Sequence, residues 1–82
     1  MIKYKFPEFN LEIVDPTVIV STDLKGVDSI NNTVTVDVLL TTPDGSSFGI
    51  CLSGIPSDGL NLNIDEAILL ANTKTRLQDF EV

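Results

Sequence analysis

Two alternating apolar segments on either side of a tight turn constrain the fold of this chain more than any other feature. Between residues 33 and 42, and again between residues 46 and 52, an apolar side chain recurs at every second position. These apolar positions are Val34, Val36, Val38 and Leu40, then Phe48, Ile50 and Leu52. Thr42-Pro43-Asp44-Gly45 lies between them, with proline and glycine where a tight turn needs them. The spacing predicts a β-hairpin that buries the apolar face and exposes the small residues Ser47, Gly49 and Cys51.

Two further strands are predicted before the hairpin. Residues 9–14 alternate, and residues 17–22 are rich in β-branched side chains. Asp15-Pro16 separates them, because proline lacks the N–H that a ladder needs. The two segments can form one long edge strand bent at Pro16. Residues 23–26 and Asn31-Asn32 are predicted as turns, and residues 54–59 as a loop.

The apolar period changes from two to helical spacing near the end of the chain. Asn63 followed by Glu66 has the spacing of a capping box. The residues at helical spacing are Ile64, Ala67, Leu70 or Ala71, Leu77 and Phe80. Strands followed by a single helix predict an α+β fold, in which one C-terminal α-helix packs on a small antiparallel β-sheet or partial sandwich. At 82 residues the chain is expected to form a single domain, residues 1–82.

The two periods together predict a core. Its members are Phe9, Leu11, Ile13, Val34, Val36, Val38, Leu40, Phe48, Ile50, Leu52, Leu70 and Leu77. A chain this short cannot hide a 43% apolar composition in one small core, so other apolar residues are expected on the surface. Because clustered exposed apolar residues mark interfaces, we predict an interaction surface. Its predicted residues are Leu39, Ile55, Leu60, Ile68 and Leu69.

Composition excludes several functional classes. The chain has no histidine and one cysteine, so it lacks the residues for an internal disulfide, for a Cys/His zinc site and for a Ser-His-Asp triad. Its net charge of −7 disfavours nucleic acid as a partner. The longest apolar run, residues 67–71, is far too short to span a bilayer, and no secretory signal is visible. We therefore expect a cytoplasmic, non-enzymatic protein with no membrane contact.

Three candidate sites have simpler structural interpretations. The oxygen-rich stretch from Asp58 to Glu66 lacks the glycine and the acid spacing of a calcium loop, so no metal or cofactor is predicted. Cys51 has no histidine to activate it and is expected to be a buried or interfacial small residue. The aspartates from Asp15 to Asp58 fall at turns and strand ends, where carboxylates cap backbone N–H groups.

Several fragments give the chain a resemblance to a known group of proteins. They are Asp15-Pro16-Thr17-Val18, Val36-Asp37-Val38-Leu39, the stretch from Phe48 to Gly54, and the closing Phe80-Glu81-Val82. In this pattern the chain resembles small β-rich proteins from tailed-phage structural modules. The resemblance covers most of the chain and implies a role in a virion or its assembly, but it carries over no functional residue.

The leading hypothesis is therefore a structural protein that assembles with a protein partner or with copies of itself. The edges of residues 17–22 or 46–52 can extend a neighbour's sheet. The alternative is an acidic inhibitor or mimic, since residues 6–73 carry ten acids and one base and would attract a basic surface. An enzyme ranks third.

Overall fold

Two antiparallel sheets and one α-helix make up residues 1–57 and 65–82, the part of the chain that the computed structural model describes. The strands are β1 (Lys3–Phe6), β2 (Leu11–Val14), β3 (Thr17–Val20), β4 (Gly26–Asp28), β5 (Thr33–Thr41) and β6 (Ser47–Pro56). The helix is α1 (Glu66–Leu77), and 3-10 helices lie at Pro7–Phe9 and Gln78–Phe80. The helix packs against β3 and β6. The predicted α+β class is confirmed.

The larger sheet is built around β5. Along one side of β5, β3 pairs with residues 38–41 and β4 pairs with residues 33–35. Along the other side, β6 forms the predicted hairpin, in which Val36, Val38 and Leu40 lie opposite Leu52, Ile50 and Phe48. Gly45 has a φ of +93°, a conformation that glycine adopts without the steric cost of a Cβ, as the turn prediction required.

The smaller sheet pairs β1 with β2, and the predicted strand at residues 9–14 is wrong at its start. Pro7 begins a 3-10 helix, and Asn10, at φ +50°, donates its N–H to the Pro7 carbonyl and closes that turn. The strand therefore begins at Leu11, and Phe9, predicted as core, is 53% exposed. β1 was not predicted from the sequence. On the side of β1 that faces away from β2, Glu81 forms an antiparallel bridge with Tyr4.

The chain passes from one sheet to the other at Asp15-Pro16. Asp15 has a φ of +48°, and it exchanges two hydrogen bonds with Ile2: its N–H donates to the Ile2 carbonyl at 2.7 Å, and its carboxylate accepts from the Ile2 N–H. The predicted bend is confirmed. However, the two strands belong to different sheets, so they do not form one edge strand.

The core lies between the inner face of the larger sheet, the helix and the β1–β2 hairpin. Its buried apolar residues are Tyr4, Phe6, Ile13, Val20, Val34, Val36, Val38, Leu40, Ile50, Leu52, Ile55, Leu69 and Leu77. Of the predicted core, Leu11, Phe48 and Leu70 are half-buried and pack against this cluster. The hairpin register is therefore confirmed.

The remaining boundaries differ from the predictions in three places. The strand predicted for residues 17–22 ends at Val20, and β4 occupies Gly26–Asp28, partly where a turn was expected. β6 continues to Pro56, into the predicted loop. The helix is capped by Asp65, whose carboxylate accepts hydrogen bonds from the N–H groups of Ala67 and Ile68 at 2.9 and 3.3 Å. The predicted cap, Asn63, lies outside the described residues.

Candidate interaction surface

The five predicted interaction residues differ in how exposed they are in the structure. Leu39 and Ile68 are 39% and 44% exposed, as a surface role requires. Ile55 and Leu69 are wholly buried, so the expectation that they lie on the surface is wrong. Leu60 lies outside the described residues.

Ile55 is buried because β6 contains a bulge. The register shifts between Val36, which faces Leu52, and Val34, which faces Ile55, so β6 carries one extra residue there. Gly54, at φ +75°, provides the backbone conformation. The extra residue reverses the alternation of side chains, and Ile55 joins the inner face.

Leu69 is buried because the row of α1 residues that faces the core differs from the predicted one and includes a threonine. Leu69, Thr73 and Leu77 are spaced by four residues and are the buried residues of the helix. The Thr73 hydroxyl donates to the Leu69 carbonyl at 2.7 Å, so it enters the core with its hydrogen bond made. The predicted stripe through Ala67 and Leu70 is therefore displaced around the helix, since Ala67 is exposed.

The outer face of the larger sheet, which turns away from the core, carries short side chains and an apolar row. Ile19 pairs with Leu39, and Leu39 pairs with Gly49, so the three lie in a line across three strands. Ile19 is 52% exposed. We call this line the apolar row, and it contains the exposed Leu39 that the sequence had predicted for an interface.

The free edge of the sheet runs along β6. The Asp37 carbonyl accepts a hydrogen bond from the Ser21 N–H and the Thr35 carbonyl accepts one from the Lys25 N–H, so these positions of β5 bond on the side away from β6. Pairs in an antiparallel ladder alternate between bonded and non-bonded. Cys51, opposite Asp37, and by the same alternation Gly49 and Ser47, therefore direct their backbone groups away from β5. We call these outward groups of Ser47, Gly49 and Cys51 the β6 edge.

The β6 edge has little of the protection found on most edge strands. No residue from Ser46 to Ser57 is charged, whereas natural edge strands usually carry lysines or other charges that prevent pairing. Among the described residues, β6 pairs with no strand other than β5. The backbone carbonyl of Ser53 accepts from Arg76 Nε at 3.0 Å, which marks where the open stretch ends.

A narrow cleft runs beside this edge. The 3-10 helix at Pro7–Phe9, the β6 residues 50–53 and Phe80 line it. The Arg76 guanidinium stacks over the Phe80 ring at 4.9 Å and pairs with Asp79 at 2.7 Å, so this cation is already engaged within the chain. The exposed Phe9 leaves an aromatic ring available next to the β6 edge.

Most carboxylates have local structural tasks. Those that accept hydrogen bonds from backbone N–H groups are Asp15, Asp28, Asp44 and Asp65. Those that pair with lysine or arginine are Glu12, Asp23, Asp37 and Asp79. The turn interpretation is confirmed for Asp28 and Asp44, and it is wrong for Asp37, which lies in the middle of β5.

Hydrogen bonding also changes the acidity of two of these groups. The side-chain amide and backbone N–H of Asn31 lower the pKa of Asp28, and the Thr42 hydroxyl and Ser46 N–H lower the pKa of Asp44. Burial, with a smaller contribution from Glu81, raises the pKa of Tyr4. Each shift has a structural cause within a turn or the core.

Metal-binding groups do not converge in the part of the chain that is described. No three histidine, cysteine, aspartate or glutamate side chains lie close enough together there to hold a metal ion. Asp58, which opens the candidate calcium stretch, lies outside the described residues. Cys51 is exposed on the outer face, so it is not buried within the chain, and the alternative that it lies at an interface stays a prediction. No helix within residues 1–57 and 65–82 is long and apolar enough to cross a membrane.

Comparison of the chain with protein-family models, with curated proteins and with solved structures found no match.

Proposed function

We propose that this protein is a non-enzymatic structural protein that works by assembling with other protein chains through the β6 edge and the apolar row. The β6 edge carries this proposal: it is an uncharged strand whose outward N–H and C=O groups have no strand partner among the described residues. Such an edge binds another strand by β-augmentation. The resemblance to phage structural modules suggests a virion, assembled in the cytoplasm of the producing cell, as the place of assembly.

The apolar row supports the same proposal. Ile19 and Leu39 together present two large apolar side chains on a face that α1 does not cover. A partner strand added to the β6 edge would extend this face, because the row ends at Gly49 on that edge. Edge and row therefore form one continuous surface, which we expect a single partner to cover.

The acidic-mimic alternative has less support from the arrangement of charges. A mimic needs carboxylates that are free to meet a basic surface, and eight here are held by backbone N–H groups or by cations of the same chain. Glu8, Glu66 and Glu81 are exposed, but they lie on different parts of the chain: a 3-10 helix, the start of α1 and the residue after the second 3-10 helix.

Multi-angle light scattering after size exclusion, at low and at high salt, tests the proposal. Apolar and backbone contacts predict association that persists or strengthens at high salt, because screening weakens the repulsion between acidic chains. Leu39→Ser should weaken that association, whereas Ile68→Ser, which alters a similarly exposed residue on the helix, should not. Salt-sensitive capture by an immobilised basic protein, without association of its own, would instead support the mimic and overturn the assembly proposal.

A further inference from the structure

We infer that the partner of the β6 edge is a second copy of this chain, with the two β6 strands pairing antiparallel around a two-fold axis at Gly49. This inference rests on the proposed function and names the partner. It follows from the charge and the symmetry of the β6 edge and from the course of the apolar row.

The charge distribution favours a second copy over a basic foreign partner. Two chains of net charge −7 repel each other, so they must meet where charge is sparse. β6 itself has none, and the nearest acid across the hairpin, Asp37, is paired with Lys25 at 3.6 Å. A basic foreign partner would be drawn to the acidic remainder of the surface and would gain nothing from this uncharged strand.

The edge is also self-complementary. In a two-fold contact, if a first residue of one copy faces a second residue of the other copy, then the second residue of the first copy must also face the first residue of the other. Ser47, Gly49 and Cys51 satisfy this around Gly49: Gly49 faces Gly49 of the second copy, and Ser47 faces Cys51. In this register each of the three outward residues exchanges N–H···O=C bonds with its counterpart. Ser53, whose carbonyl Arg76 already occupies, stays outside the contact.

The apolar row continues through the same axis. A two-fold axis perpendicular to the sheet keeps both outer faces on one side. Ile19, Leu39 and Gly49 of one copy then run directly into Gly49, Leu39 and Ile19 of the other. No atom lies within 4 Å of where a Gly49 Cβ would be, so the outer face is open where the two rows would meet.

Gly49→Pro and Gly49→Ala form a matched pair of variants for testing the contact. Proline removes the Gly49 N–H, which β5 does not use, so the monomer should keep its hairpin while the central bond of the dimer is lost. Alanine keeps the N–H and has room for its Cβ. By sedimentation equilibrium, we expect the wild type and Gly49→Ala to dimerise, and Gly49→Pro to bind itself at least about tenfold more weakly.

A cross-link tests the register independently of proline's effect on folding. Ser47→Cys would place a thiol opposite Cys51 of the second copy, where Cα atoms about 5.5 Å apart allow a disulfide. Within one chain these positions are about 13 Å apart, so they cannot join to each other. Oxidised glutathione should therefore convert this variant to a covalent dimer, while the wild type, whose two Cys51 residues would lie far apart, should stay uncross-linked.

The outcomes separate this inference from the proposed function. A wild-type dimer that survives Gly49→Pro and does not cross-link through Ser47→Cys would overturn the β6 pairing and leave assembly by another surface standing. A wild type that is monomeric even at millimolar concentration would overturn the second copy as partner. Assembly itself is then judged by whether Leu39→Ser weakens binding to a different chain.

Discussion

Truncating Leu69 tests the packing of the helix on the sheet, and the expected cost follows from its burial. Leu69 is wholly buried on the inward stripe of α1. Leu69→Ala removes three carbon atoms, worth about 0.8 kcal/mol each in transfer free energy, and leaves a cavity that adds to the loss. We expect a loss of about 3–4 kcal/mol in the free energy of unfolding. A domain of this size has on the order of 4–12 kcal/mol in total, so the variant should be much less stable.

Urea unfolding followed by circular dichroism measures this loss, with Ile68→Ala as the control. Ile68 is the neighbouring residue on the same helix and is 44% exposed, so its truncation should cost less than about 1 kcal/mol. Equal losses for the two variants, or a larger loss for Ile68→Ala, would refute the assignment of the inward stripe. The same result would restore Leu69 as a surface residue available to a partner.

Three further perturbations test local features. Gly45→Ala should lower the free energy of unfolding, measured by thermal unfolding, by about 1–2 kcal/mol. The cause is the φ of +93°, since the space that an added Cβ would occupy is open. No loss would mean that the turn relaxes easily. Asp65→Ala should cost about 0.5–2 kcal/mol of stability and Asp65→Asn much less, since asparagine also caps helices; equal losses would point to charge as the cause. The lowered pKa values of Asp28 and Asp44 favour their ionised forms in the folded state, so this stability is present above about pH 4 and is lost as pH falls through the folded pKa. An Asp28→Asn, Asp44→Asn double variant should show a flatter loss of stability in acid, and an unchanged profile would contradict these turn hydrogen bonds.

The hairpin could be predicted from sequence because its alternation is long and its turn residues are specific. Val34 to Leu40 supply four alternating apolar residues, and Gly45 supplies the positive φ that closes the turn. A strand of that length has one register that buries all its apolar side chains. The predicted outward face of Ser47, Gly49 and Cys51 followed from the same register.

The remainder depended on contacts that local patterns do not encode. The Gly54 bulge reverses the faces of β6, and no alternation in the sequence announces it. Thr73 is polar, yet its hydroxyl donates a hydrogen bond within its own helix, which permits burial. β4 has three residues and exists through its pairing with β5. By contrast, β1 had a usable signal, since Tyr4 and Phe6 alternate with Lys3 and Lys5.

Amide hydrogen exchange at Gly49 and Cys51, measured by NMR over a range of protein concentrations, tests the central claim most directly. At low concentration these outward N–H groups should exchange rapidly, while Ile50, whose backbone faces β5, should be protected. At high concentration Gly49 and Cys51 should become protected as the β6 edge finds its partner strand. Protection that is equally strong at every concentration, or absent at every concentration, would contradict the account of β6 as an open edge that assembly closes.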